Sequence, residues 1–322
     1  MRADLHVHSY HSGRAGHLRF LHARDCYSEP ESVYRVARAR GMDLVTITDH
    51  DSIDGCLEFL NRHPDAQDFF ISEEIECWVP GRPLKLHIGA YDIDERIHRE
   101  IQPLRRNVFE LCAYLREQDV FFVFNHPFFF LNRQMPFGEY AGFVLPLFDA
   151  VEVRNGAMIE AHNTLAETIV GDRRLCGARL AAIGGSDAHT LAAIGTTFTA
   201  APGATRAEFL ANLRAGRTTV GGRHGGTVRV MREIYGVVFR YWLSLLGVGR
   251  QDLSWGRRAI GLAFSALSMP AEFIPALIAV VDKAGERRRI ERFATEWTLL
   301  GPSASLEARV AAEPAGAEPA AS

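Results

Sequence analysis

Near the start of the chain, Asp4-Leu5-His6-Val7-His8-Ser9 alternates imidazoles with apolar side chains. In an extended strand, residues two apart share a face, so His6 and His8 point one way while Leu5 and Val7 point the other. Two neutral imidazoles converging on one point can grip a borderline cation such as Zn²⁺, Mn²⁺ or Fe²⁺. Taken alone, the pair also fits two polar residues on an exposed strand face. What sets it apart is recurrence. Later apolar runs end in Asp49-His50-Asp51, in Glu73-Glu74-Ile75-Glu76, at His87, in Asn125-His126-Pro127 and in Ser186-Asp187-Ala188-His189. Core packing gives no reason for ligand-type residues at one strand end after another. Metal ligation does, because first-row divalent ions accept imidazole and carboxylate, and one carboxylate can bridge two ions. The candidate ligands are His6, His8, His50, Glu74, His87, His126, Asp187 and His189. Glu74 and Glu76 share a strand face, and Glu73 takes the other.

The elements that would position these residues alternate short apolar runs with helical stretches. Strands are predicted at 44–48, 69–71, 84–89, 120–124, 150–153 and 180–183, besides the N-terminal one. Helices are predicted over 31–40, 54–62, 97–118, 158–176 and 207–216. Ser28, Pro30 and Glu31 give the first helix its cap and acidic first turn, and Gly41 stops it. This alternation predicts an α/β fold with a parallel sheet and crossover helices, wound as a TIM-like barrel whose polar residues gather after the strands. Residues 10–29 form a long polar loop, a kind often functional. The barrel is assigned to 1–228, a C-terminal helical extension to 229–310 and a disordered tail to 311–322. The apolar stretch 259–281 approaches the length of a membrane span. Pro270, Glu272 and Pro275 favour buried helices or helices resting on a membrane surface.

Composition excludes some classes. A formal net charge of -3 over 322 residues does not provide the basic surface that non-specific nucleic-acid binding needs. Cys26, Cys56, Cys77, Cys112 and Cys176 form no C-x-x-C pair and are odd in number, which suggests reduced thiols in the cytoplasm. The N-terminal residues lack the basic and apolar regions of a secretory signal.

The motifs Asp4–Ser9, Thr48-Asp49-His50, Glu74, His87, Asn125-His126-Pro127 and Ser186–His189, in this order over roughly residues 1–225, resemble the PHP (polymerase and histidinol phosphatase) superfamily. The resemblance implies a distorted (β/α)7 barrel, the PHP fold, holding two or three divalent ions (Mn, Zn or Fe), with phosphoester hydrolysis as the usual activity. It implies a first ion on His6, His8, Glu74 and Asp187. Glu74 would bridge to a second ion on His87 and His126, and His50 and His189 would hold a third. Residues 38–50 also resemble the branch that includes carbamate hydrolases. One departure concerns the third ion: where the family carries an acid (less often a His) after the second His, this chain has Gly13, and His11, His17 or Asp25 are the candidate replacements.

The expected chemistry follows from charge. Paired cations lower the pKa of a shared water and stabilise charge on a phosphoryl group. Asp187 could accept the water's proton, and His189 or His50 could protonate the leaving oxygen if the third ion is absent. Arg14 and Arg154 are candidate phosphate clamps because guanidinium presents a two-pronged fork, and surface ion pairs are the competing reading. Asn155 is a further substrate-binding candidate. Phe128-Phe129-Phe130 could wall a pocket or sit in the core, and His162 reads as a packed or solvated histidine. The expected partner is a small phosphorylated metabolite or nucleotide, with no other nucleic acid, and residues 231–281 are the candidate contact for a membrane surface or protein partner. Two alternatives are a carbamate, ester or amide hydrolase on the same ions, and a non-catalytic metal-stabilised interaction module.

Overall fold

In the computed structural model the apolar runs assemble into two sheets, described over residues 1–13, 21–131, 135–172, 180–248, 253–268 and 273–299. The larger sheet orders β2 (Ser72–Trp78), β3 (Lys85–Tyr91), β4 (Phe121–Phe124), β5 (Ala150–Asn155) and β6 (Ala181–Gly185) side by side. The smaller one orders β1 (Arg2–Ala3), β7 (Thr197–Ala200) and β8 (Thr219–Gly222), and is antiparallel throughout. The segments carrying His6, His8 and His50 run between these sheets through single bridges, Val7 to Ala188, Ala3 to Leu44, Val45 to Phe69 and His50 to Glu74.

The α/β class agrees with the sequence, but the sheet is mixed and its ladders do not form a closed barrel among the described residues. Only β4–β5 and β5–β6 pair in parallel; β2–β3 and β3–β4 are antiparallel. The cause is local. Pro80-Gly81 makes a tight turn with Gly81 at φ 71° and Val79 N–H donating to Leu84 O at 3.0 Å. So short a connection can join only antiparallel neighbours. The single helix expected over 97–118 is instead α3 (Glu95–Leu104) and α4 (Val108–Glu117). Pro103 lies at the end of α3, and Asn107 opens α4 by accepting from Phe109 N–H. β7 and the helix α5 (Phe137–Phe143) were not read from the sequence.

The remaining helices are α1 (Pro30–Ala39), α2 (Asp54–Arg62), α6 (Glu160–Gly171), α7 (Arg206–Arg214), α8 (Thr227–Leu245), α9 (Trp255–Ser268) and α10 (Ile274–Leu299). No helix among the described residues is long and apolar enough to cross a membrane. The main core gathers the sheet, α3 to α6 and the second half of α10, whose Ile290, Phe293 and Trp297 are buried in it. Phe293 stacks on Phe137 with ring centroids 5.1 Å apart. C-terminal residues therefore complete the core, and a chain cut near Thr227 would expose it.

A buried ion pair fixes α10 to the body. Lys283 Nζ lies 2.7 Å from Glu286 Oε2 and donates to Ala157 O, and Glu286 also accepts from Ile159 N–H and faces His162 Nδ1 at 3.4 Å. Burial alone would raise the Glu286 pKa, but His162 and Lys283 outweigh it and hold it at about 2 against an ordinary 4.5. The stabilisation is thus complete above pH 4.5 and is lost as pH falls from there towards 2. Glu286→Ala should destabilise by about 3–5 kcal/mol, because it strands a buried ammonium. Lys283→Met combined with Glu286→Leu should recover most of that loss in urea unfolding at pH 7; equal destabilisation by the single and double variants would contradict this assignment.

Candidate metal centre

Three strand-end segments meet because two buried carboxylates tie them together. Asp4 accepts from Ser186 N–H at 2.8 Å and Gly195 N–H at 2.6 Å, fastening the N-terminal segment to the one carrying Asp187 and His189. Asp49 accepts from Ser9 N–H and Ser9 Oγ, both at 2.6 Å, and so sets His50 beside His8. Burial lifts both acids to about 6, against stabilising hydrogen bonds. The end of β6 passes so close that a Cβ on Gly185 would lie 2.4 Å from His6 Cβ, which is why a glycine stands there.

Glu74 is the centre of the cluster. Its Oε1 lies 3.1 Å from His6 Nε2, 3.1 Å from His126 Nε2 and 3.2 Å from His87 Nδ1. Its Oε2 lies 3.0 Å from His50 Nδ1 and 3.6 Å from His8 Nε2. Asp187 Oδ1 stands 3.6 Å from His6 Nε2, 3.4 Å from His8 Nε2 and 3.7 Å from His189 Nδ1. Four overlapping groups keep their donor atoms within 4.8 Å of one another: His6/His8/Asp187, His6/Glu74/His126, His50/Glu74/His87 and His8/His50/His189. Two ligands held by one ion at about 2.1 Å in tetrahedral geometry stand about 3.4 Å apart, so these separations suit first-row cations. The donor set passes a second test. His6 Nε2, His8 Nε2, Glu74 Oε2, both His87 nitrogens and His126 Nδ1 are buried with no hydrogen-bond partner, a state that needs another occupant.

Neighbouring groups orient these ligands. His6 Nδ1 faces Glu152 Oε1 at 2.9 Å and His8 Nδ1 faces Ser12 Oγ at 2.8 Å, which leaves Nε2 of each ring turned inwards. Glu152 also accepts from His126 N–H. His126 and Asp187 hold left-handed backbones, at φ 27° and 52°, a strained conformation for non-glycine residues that is typical of functional sites. Burial opposes ionisation of Glu74, yet the surrounding imidazoles, His6 first, hold its pKa well below the carboxylate range. Glu73 turns away to His98 at 3.0 Å, and Glu76 pairs with Lys85 at the rim.

The loop left open by Gly13 contributes Asp25. Its Oδ2 lies 2.9 Å from His189 Nε2 and 3.6 Å from His50 Nε2, which places an acid beside these two histidines. His11 pairs with Glu58 instead. Arg14 and His17 lie outside the described residues. A β-bulge between Glu152 and Arg154 decides which way the last side chains of β5 face. Without it, residues 152 and 154 would share a face. With it, Asn155 turns inwards, its Nδ2 donating to Glu152 Oε2 at 2.9 Å and Asp187 Oδ2 at 3.1 Å, while Arg154 pairs with Glu167 on α6 at 2.5 Å. Phe130 and Phe129 flank His87 and His126, at 4.7 and 5.4 Å respectively, whereas Phe128 is core and packs against the buried His162.

The sequence reading missed α8 altogether as a part of the site. Its Arg229 donates to Ser186 O at 2.8 Å, and the guanidinium lies against Gly156. Its Glu233 accepts from His189 N–H at 3.2 Å and Thr190 Oγ1 at 2.9 Å. No motif marks these residues, because α8 is contiguous in space but not in sequence with the ligands. Asp25→Ala should lower bound Mn²⁺ or Zn²⁺ by one ion per chain in elemental analysis and leave the others. Glu152→Gln should weaken metal affinity by about 10–100-fold with unchanged stoichiometry at saturation. Full occupancy in Asp25→Ala would remove Asp25 from the ligand set.

Comparison with known proteins gives partial matches. A family described as PHP-associated matches residues 162–218. An uncharacterised protein of Methanocaldococcus jannaschii is 41% identical over 58 residues, 18% of this chain, so the chain spans a third (33%) of the length of that relative. Among solved structures, PsfC from Pseudomonas syringae aligns with 74% of this chain and 97% of its own, at 17% identity and a TM-score of 0.48. A Bacteroides vulgatus two-domain protein, described as containing a predicted PHP-like metal-dependent phosphoesterase, aligns with 73% of this chain and 69% of its own, at 18% identity and 0.45. An amidohydrolase from Chromobacterium violaceum aligns with 67% of this chain and 97% of its own, at 16% identity and 0.46. With a PHP-associated segment that includes Asp187 and His189, and with the resembling motifs meeting around Glu74, the resemblance of this chain to the PHP superfamily is borne out.

Proposed function

We propose that this chain is a metal-dependent phosphoesterase that hydrolyses a small phosphorylated metabolite or nucleotide. The observation that carries the reading is a buried carboxylate, Glu74, ringed by imidazoles, of which His6 Nε2, His8 Nε2 and His87 Nδ1 point at it without a hydrogen bond. Two ions would rest on His6, His8, Glu74 and Asp187 and on Glu74, His87 and His126, with Asp25, His50 and His189 as a third set. Bound there, such ions supply an activated water and electrostatic stabilisation of phosphoryl charge. Asp187 faces the cluster from a strained backbone and is oriented by Asn155, which suits it to accept the water's proton. With only two ions held, His189 is the group placed to protonate the leaving oxygen. Burial opposes its charge, but Asp25 lifts its pKa to about 10. Arg229 lies against the segment that carries Asp187, donating to Ser186 O, and would offer a phosphate the charge-assisted fork that Arg154 spends on Glu167.

A panel of phosphomonoesters, phosphodiesters and carbamate esters, assayed with Mn²⁺ and with Zn²⁺, tests this reading. Phosphoester turnover abolished by chelation is expected. Glu74→Gln should reduce kcat on the order of 10²–10³-fold. Arg229→Ala should raise KM for the phosphoester about tenfold or more while kcat changes less. Turnover of carbamates alone, or Arg229→Ala acting on kcat with KM unchanged, would overturn the corresponding part.

A further inference from the structure

We propose that α9 and the first two turns of α10 dock on an anionic lipid surface. Most of the large apolar residues of this segment face solvent. Trp255 is 81% exposed and Leu267 83%, and Ile260, Leu262, Phe273, Leu277, Ile278 and Val281 are also exposed. Large exposed apolar patches mark interaction surfaces. The pattern around α9 identifies the occupant. At about 100° per residue, Trp255, Ala259, Ile260, Leu262, Ala263, Ala266 and Leu267 fill close to half the circumference. Arg258 and Arg257 lie just outside the two edges of that arc. Residues 253–281 carry two cations, Arg257 and Arg258, against one acid, Glu272, which lies outside the described residues.

An apolar arc bordered by cations suits a helix lying in the plane of a lipid interface, with its arginines at the headgroups. The arc is held outward by α8. A Cβ on Gly261 would lie 2.5 Å from Leu245 and 2.6 Å from the Tyr241 hydroxyl, so only glycine allows α9 to sit this close. The opposite, charged half of α10 is anchored in the core through Lys283, Glu286 and Phe293. The same helix α8 carries Arg229 and Glu233 to the metal centre, so docking would bring that site to the lipid surface.

Full-length protein should float with vesicles of phosphatidylcholine and phosphatidylserine, and binding should weaken with salt. Ile260→Glu with Leu267→Glu, both solvent-facing and outside the site, should reduce vesicle partition about tenfold or more while leaving metal content intact. Arg257→Gln, at an exposed position, should reduce it about fivefold. Trp255 emission should shift to the blue on binding, a change absent from Trp255→Phe. A protein that stays in solution and monomeric would overturn the proposal. So would concentration-dependent dimerisation that the double variant abolishes without any vesicle binding. Equal binding to neutral phosphatidylcholine would overturn the role of the arginines.

Discussion

The convergence of imidazoles on one buried carboxylate is the constraint around which the rest of this structure is arranged. Glu74 has no solvent exposure, and its two oxygens face His6, His126 and His87 on one side and His50 and His8 on the other. Such a cluster is expensive to bury unless every donor finds a partner. The surrounding scaffold supplies what backbone and side chains can: Asp4 and Asp49 bind the ligand-bearing segments to each other, and Glu152 and Ser12 fix two of the rings. Of the nitrogens left over, His6 Nε2, His8 Nε2 and His87 Nδ1 face Glu74, where divalent cations would complete the balance.

This arrangement also explains the C-terminal helices. In sequence they follow the last ligand as an appendage. In space α8 lies along the site, and α10 runs from an apolar, exposed first half into a second half that closes the core with Phe293 and Trp297. The ion pair of Lys283 and Glu286 marks the changeover, and it also binds the backbone at Ala157 and Ile159, just beyond Asn155. One pair of helices thereby joins the core to the segment that carries Asp187 and His189.

Much of the ligand set was legible in the sequence because strand periodicity is rigid. His6 and His8 on one face, and Glu74 with Glu76 apart from Glu73, follow from alternation, and the register of the family resemblance then favours Glu74 over Glu76. Where alternation fails, reading fails with it. The bulge in β5 exchanges the faces of Arg154 and Asn155, and nothing in Val151-Glu152-Val153-Arg154 announces it. The parallel sheet was over-read because the Pro80-Gly81 turn was not taken as a hairpin, and Pro103 with Asn107 was not taken as a helix break. Asp25 was one of three candidates until the loop folded, since a loop has no period from which to infer register. Arg229 and Glu233 lay beyond reach because packing of distant helices leaves no local pattern.

The central claim is that Glu74 bridges cations. Anomalous diffraction from crystals grown with Mn²⁺ tests it most directly. The account predicts peaks on both sides of Glu74, each about 2.0–2.3 Å from one of its oxygens and sharing His6, His8, Asp187, His87 or His126 as further ligands. A structure with Mn²⁺ in solution and no peak within bonding distance of Glu74 would contradict it.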